Sequence, residues 1–342
     1  MDAAHHVMPQ LQQLVHLNDR QLATYDVALV NVACAAGLPA TERIDIGLCF
    51  RRLDAATRVV AQYTQHYLPD FRKCPQDYEN SEAYYRALAL ITVLQRDLGI
   101  RYNAEKTSEH AKFDAEDTFI HGALTGKGGT CASLPVLYVA VGRRLGYPMK
   151  LVQAPGHLLC RWDEPSGERF NIEATNKGMH CPPDSYYCEG KRALTPEQLR
   201  ETIFFKSQTP RQELAGFLAQ RGFLWLDLGK YREASESFLW ASVLAPDNKL
   251  HGTCACSTLE QWGNALKASF PPNCPAIRVN MPSKRRYPAV PASVEAEMIG
   301  NEARENVLHD PEFERIVVKP LLASPYGRPA HIPQYLVIDV LK

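Results

Sequence analysis

Over 342 residues no apolar run approaches the roughly 18 residues that a membrane-crossing helix needs. The opening residues, Met1 to Gln10, also lack a basic stretch followed by an apolar one. These two absences predict neither a membrane span nor a secretory leader, and therefore a cytoplasmic protein. Net charge is missing as well. Lys plus Arg and Asp plus Glu number 38 each, so no overall field favours nucleic acid or an anionic membrane surface. Gly-rich phosphate loops, dinucleotide fingerprints and His-Glu-x-x-His helices are absent, which removes the common nucleotide-dependent and metalloprotease chemistries. No cofactor is expected.

Cysteine is not scarce, but its ten positions are irregularly spaced in a chain too large to need disulfide staples, so they read as reduced thiols. The nearest approach to a zinc set is His251, Cys254, Cys256 and Cys274, with His180, Cys181 and Cys188 weaker still. Zinc sites usually present two close ligand pairs, and a Cys-x-Cys with one distant Cys is not that pattern. No metal site is expected.

What the chain does have is Gly128-Gly129-Thr130-Cys131, followed by an apolar run from Ala132 to Gly142 that ends at Arg143, Arg144, Gly146 and Pro148. The run reads as a buried helix with Cys131 at its first turn, Pro135 tolerated near the start, and the two glycines allowing a sharp bend and close approach. A thiol at the positive end of a helix dipole, beside an imidazolium, is favoured as thiolate.

Two strands follow, Met149 to Ala154 and His157 to Trp162, then a turn over Asp163 to Gly167 and a return strand, Glu168 to Ala174. A register that sets Trp162 against Glu168 sets His157 opposite Glu173 on the same face. Glu173 would then fix the imidazole tautomer so that the other nitrogen faces the thiol. Asn171, on the same face, is the substitute if the register slips. Glu173 could instead pair with Arg161 or Arg169, and His121 could wall the site or be a satisfied surface residue. The Cys131 amide is the default oxyanion donor.

The segment from Phe119 to Gly178 resembles the core of the transglutaminase-like superfamily, a papain-like group with a Cys, His, Asp order. The resemblance rests on Gly-Gly-Thr-Cys131-Ala-Ser-Leu-Pro, Leu-Tyr-Val-Ala-Val-Gly-Arg-Arg-Leu-Gly-Tyr-Pro, Pro-Gly-His157 and Phe-Asn-Ile-Glu173-Ala-Thr. The stretch from Ile44 is similar to the helical lead-in of a bacterial branch that often carries tetratricopeptide-type helices. The resemblance implies an α+β papain-like core, with Cys131 as nucleophile, His157 as base and Glu173 as third member, where aspartate is usual. It also implies acyl transfer on peptide or glutamine amides: proteolysis, deamidation or cross-linking.

Apolar spacing places helices over Leu11 to Leu17, Thr41 to Tyr67 and Asn80 to Leu98, broken at Pro39, Pro69 and Pro75. The expected organisation is a helical lead-in over 1–110, the catalytic core over 111–205, a helical segment over 206–273, and a proline-rich linker with a terminal helix and strand over 274–342. Gly222, Trp225, Gly229, Tyr231, Ala234, Phe238, Ala241 and Pro246 resemble a tetratricopeptide unit, a repeat of about 34 residues, and Thr258 to Asn273 resembles the second helix of another with a truncated first. The expected partners are a peptide or protein substrate and a protein docked on the repeat-like segment. The competing expectation is a catalytically silent scaffold in which that segment grips a partner.

Overall fold

A computed structural model describes residues 9–269, apart from 43, 109–110 and 190–192. Two short helices, α1 (Leu11–Leu14) and α2 (Asp19–Leu22), precede α3 (Val27–Ala35), α4 (Ile46–Lys73) and α5 (Glu82–Thr92). Then come α6 (Ala115–Thr118), α7 (Ile120–Thr125), α8 (Leu134–Arg144) and the strands β1 (Met149–Ala154), β2 (His157–Asp163) and β3 (Arg169–Ile172). Helices α9 (Pro196–Arg200), α10 (Pro210–Asp227), α11 (Tyr231–Leu244) and α12 (Lys249–Ser269) complete the described chain. It divides into two compact units between Leu224 and Trp225, inside α10. The mixture of helices with a small antiparallel sheet is an α+β arrangement.

In the first unit α8 is the central element, contacting α3, α4, α5, α7, β1 and β2. Every residue from Leu134 to Gly142 is buried, as expected for a helix apolar on all sides. Gly142 lets β1 come close, since a Cβ there would lie 2.1 Å from Met149 Sδ. The helix ends where Gly146 takes a φ of +78° ahead of Pro148, and Arg143 and Arg144 complement the negative end of its dipole.

Helix α3 was not anticipated as a separate element. All its residues but Leu29 are buried, so it has no polar face and no amphipathic period to read. Helix α4 corrects the expectation of a break at Pro69, for it runs on to Lys73. Proline that late in a helix forgoes a single backbone bond. Leu68 and Phe71 on either side of it are buried with Tyr85, Phe71 stacking on that ring at 5.0 Å. Helix α5 is capped by Ser81, whose hydroxyl accepts from the Tyr84 amide at 2.8 Å, and gives way to a π turn over Val93–Asp97. There Gln95 donates to the Tyr138 hydroxyl at 3.0 Å and to the Asn176 carbonyl at 2.8 Å, and accepts from the Gly178 amide at 2.8 Å.

The sheet order is β1-β2-β3, all antiparallel. Pro155 and Gly156, the latter at φ +63°, turn β1 into β2 with Ala154 opposite His157. Between β2 and β3 the register differs from expectation: Trp162 faces Phe170, not Glu168, and Asp163 faces Arg169. The turn is closed by the Glu164 amide donating to the Glu168 carbonyl at 3.1 Å. The shift is by two residues, so each side chain keeps its predicted face.

In the second unit α11 packs on α12. Helix α12 runs unbroken from Lys249, so Thr258 does not begin a helix there. Cys274 and the proline-rich linker, terminal helix and strand expected over 274–342 lie outside the described residues.

Candidate active site

The Cys131 turn is built from two sides. Segment 101–103 pairs with Gly129: the Gly129 amide donates to the Arg101 carbonyl at 3.0 Å and the Asn103 amide to the Gly129 carbonyl at 2.8 Å. Both glycines are required by this close approach. Gly128 has a φ of +91°, and a Cβ on Gly129 would lie 2.6 Å from Leu134 Cδ2. From the other side the hydroxyls of Thr130 and Ser133 each donate to the Asp117 carbonyl at 2.8 Å. The Thr130 amide donates to Ser133 Oγ at 3.0 Å, and the Ala132 amide to Thr130 Oγ1 at 3.2 Å. The fully buried Asp117 carboxylate is itself held by Lys106 Nζ at 2.9 Å and Asn103 Nδ2 at 3.1 Å.

Cys131 lies in this turn and not within α8 itself, because Ser133 is the N-cap and Leu134 the first helical residue. The chain is nevertheless already coiling, with the Leu134 amide donating to the Thr130 carbonyl at 3.0 Å. The Cys131 amide has no acceptor among the described residues.

His157 opens β2 and Glu173 directly follows β3. In the observed register they are diagonal neighbours on one face, and Nε2 of His157 lies 2.7 Å from Oε2 of Glu173. Diagonal neighbours stand farther apart than opposed ones, within reach of longer side chains. Glutamate supplies that reach. Its Oε1 accepts from the Thr175 amide at 2.9 Å and the Thr175 hydroxyl at 2.6 Å, while Oε2 also accepts from the Tyr187 hydroxyl at 2.8 Å.

The electrostatics follow from these partners. Burial pushes the Glu173 carboxyl up, but His157, through hydrogen bond and charge, and then Thr175 outweigh it and lower the pKa to about 2. Burial alone would lower His157. Hydrogen bonding to Cys131 and to Glu173, with the charges of both, raises it to about 9 instead. Cys131 therefore lies within reach of the imidazole, and because Glu173 holds Nε2, Nδ1 is the nitrogen left for sulfur. Burial, then the Glu173 charge, raise the Tyr187 phenol, so it stays a donor.

Tyr187 was not anticipated. It is buried, stacks on the His157 ring at 5.5 Å and 22°, and sits in the 3₁₀ turn Asp184–Cys188. That turn is clamped by Arg161, whose Nε donates to Asn171 Oδ1 at 2.7 Å and whose guanidinium pairs with Asp184. The Asn171 amide donates to the Pro182 carbonyl at 2.9 Å and to Asp184 Oδ1 at 2.8 Å. The sequence offered one signal, a Tyr186-Tyr187 pair close after Glu173.

These contacts decide several alternatives. Asn171 serves the Arg161 clamp and not His157. Arg161 and Arg169 pair with Asp184 and Asp163, leaving Glu173 to the histidine. His121 is no surface residue: it is 2% exposed, neither ring nitrogen has a hydrogen-bond partner among the described residues, and burial lowers its pKa. Tyr102 flanks the thiol, its phenol raised by burial and then by the charges of Cys131 and Asp117. Among the described residues no group of three or more His, Cys, Asp or Glu side chains is placed to hold a metal ion. No helix among them is long and apolar enough to cross a membrane.

A sequence model described as the Transglutaminase-like superfamily matches residues 49–215. F-box only protein 21 of Mus musculus is 38% identical over 50 residues, which is 15% of this chain and 8% of that protein, so the chain spans only a small part of that relative. No solved structure matches. The matched segment contains the Cys131 turn, α8, the sheet and Glu173, and over residues 49–215 the chain is similar to the transglutaminase-like superfamily.

Proposed function

We propose that this protein carries out cysteine-dependent acyl transfer on peptide or glutamine amides, with Cys131 as nucleophile, His157 as acid and base, and Glu173 as the orienting carboxylate. The observation that carries the reading is the 2.7 Å contact between His157 and Glu173, in an imidazole that Cys131 and Glu173 together raise to about 9.

With its pKa at about 9, His157 is protonated at neutral pH and starts the reaction as the acid. The Cys131 sulfur, as thiolate, bonds to the amide carbonyl carbon. The C–N bond then breaks as the imidazolium gives its proton to the leaving nitrogen, producing a thioester and a neutral imidazole. That imidazole next takes a proton from an attacking water or amine, and the C–S bond breaks to restore thiolate and imidazolium. Water yields an acid, by proteolysis or by deamidation of glutamine; a primary amine yields a cross-link. The Cys131 amide, free of other acceptors among the described residues, is the donor for the oxyanion. Glu173 is saturated by His157, Tyr187 and Thr175, so it holds one tautomer without competing for the proton.

The test offers a glutamine-containing peptide with a fluorescent primary amine and follows ammonia release, amine incorporation and peptide cleavage by mass spectrometry. Turnover by the wild type that is absent in Cys131→Ala supports the reading. Turnover surviving in Cys131→Ala, or a wild type that neither turns over nor forms a thioester at Cys131, contradicts it.

A further inference from the structure

A cavity of about 360 Å³, away from Cys131 and His157, opens at the C-terminal end of α8. About 9 Å of helix, from Leu134 to Ala140 at about 1.5 Å per residue, separates it from the turn that carries Cys131. Its walls come from the α2–α3 connection, the last turn of α8, β1 and the start of α10. Residues 22–30 of this lining precede the segment that matches the transglutaminase-like superfamily, so the cavity exists only where the N-terminal helices cover that core.

The apolar part is formed by Leu22, Val27, Val30, Ala140 and Phe217, all buried. The charged part is Asp26, Arg143, Arg144, Lys150 and Glu213. Every acidic oxygen in that set is already engaged. Both Glu213 oxygens accept from Arg143, Asp26 Oδ1 accepts from the Ala28 amide at 2.8 Å, and Oδ2 accepts from Arg144 Nε at 2.6 Å. Arg143 Nε donates to the Met149 carbonyl at 2.9 Å, and Arg144 Nη1 donates to Asp54. Two cationic donors are left over among the described residues: Arg144 Nη2 makes no hydrogen bond, and Lys150 forms no ion pair. The charged lining thus holds three cations against two carboxylates, and the charged groups not already committed to a partner are cationic, above an apolar floor.

We infer that this cavity binds a small amphipathic carboxylate, its headgroup on Lys150 and Arg144 and its hydrocarbon part against Val30, Ala140 and Phe217. A carboxylate supplies the anionic partner that Lys150 and the outer nitrogen of Arg144 lack, in charge-assisted hydrogen bonds. The volume lies within the range of about 300–1,000 Å³ usual for small-molecule sites. This binding does not depend on the acyl-transfer reading of Cys131.

The test is isothermal titration calorimetry of the full chain with n-alkanoates from butanoate to decanoate, and with the matching n-alkylamines and n-alkanols as controls. The expected result is one-site binding of the alkanoates that tightens with length until the cavity is full, weaker binding of the alkanols and none of the amines. Lys150→Gln removes one charge-assisted hydrogen bond and should weaken alkanoate binding about tenfold. Ala23→Trp, placed at an exposed position on the rim, should block binding while leaving the circular dichroism spectrum and thermal midpoint unchanged. If Ala23→Trp fails to fold, Lys150→Gln decides alone. No saturable alkanoate binding, alkylamines binding as tightly as alkanoates, or an unchanged affinity in Lys150→Gln overturns the inference.

Discussion

The proton on His157 is the residue-scale determinant of the proposed chemistry. Its pKa of about 9 depends on Cys131 and then on Glu173, whose charge is in turn stabilised by His157 and Thr175. Glu173→Gln removes that charge, so the imidazole titrates lower. We predict that the alkaline limb of kcat/KM, near pH 9 in the wild type, moves to lower pH and that kcat/KM falls on the order of 10³-fold. The pH–rate profile of both proteins checks this, and an unmoved limb contradicts it. Tyr187→Phe keeps the ring against His157 and removes one hydrogen bond to a charged carboxylate. The expected cost is about 1–3 kcal/mol in urea unfolding; no loss of stability would show that Tyr187 does not hold Glu173. The placement of His157 beside Glu173 was readable because Pro155 and Gly156 mark the entry of the strand and alternation puts both side chains on one face. Tyr187 was not, because its place depends on the buried Arg161 side chain pulling a later turn back over the sheet, a contact that no local pattern encodes.

At the scale of elements, the Cys131 turn and α8 are locked together through Gly129. Leu134, the residue a Cβ would strike, is itself 1% exposed and has no room to yield. Gly129→Ala is predicted to cost about 1–3 kcal/mol by overpacking and to slow reaction at the Cys131 thiol. Gly146→Ala, with φ +78° but open space around it, should cost about 1–2 kcal/mol from backbone strain alone and leave the thiol unaffected. Chemical denaturation with thiol labelling distinguishes the two; equal labelling in both variants would detach the turn from the helix. The three strands were legible from alternation and turn residues, whereas the pairing of the last two was not. Pro165, Ser166 and Gly167 mark a turn without stating where its closing hydrogen bond falls, and the bond from Glu164 to Glu168 moves the register by two. Pro69 misled for a related reason: a proline is a local signal, and the burial of Leu68 and Phe71 with Tyr85 overrides it.

For the molecule as a whole, the same pair ties stability to pH. The His157 pKa rises on folding from 6.5 to about 9, so its contribution is complete below pH 6.5 and disappears as pH climbs through 9. The Glu173 pKa falls from 4.5 to about 2, so its contribution is complete above pH 4.5 and disappears as pH drops through 2. Both are therefore in force between pH 4.5 and 6.5. The difference in urea midpoint between the wild type and His157→Gln should be greatest in that window and shrink on either side; a difference independent of pH would mean that the pair is not ionised. The division of the chain between Leu224 and Trp225 had no counterpart in the sequence, because it falls within a continuous helix. The central claim is that Cys131 and His157 act as one unit, and it is tested most directly by the rate of iodoacetamide alkylation at Cys131 against pH, resolved by peptide mass spectrometry in wild type and His157→Ala. The account predicts that Cys131 labels faster at neutral pH than the exposed Cys74 and that the mutation removes the advantage. Labelling no faster than at Cys74, unaffected by the mutation, would contradict it and leave the chain as a scaffold with the fold of an acyl-transfer enzyme.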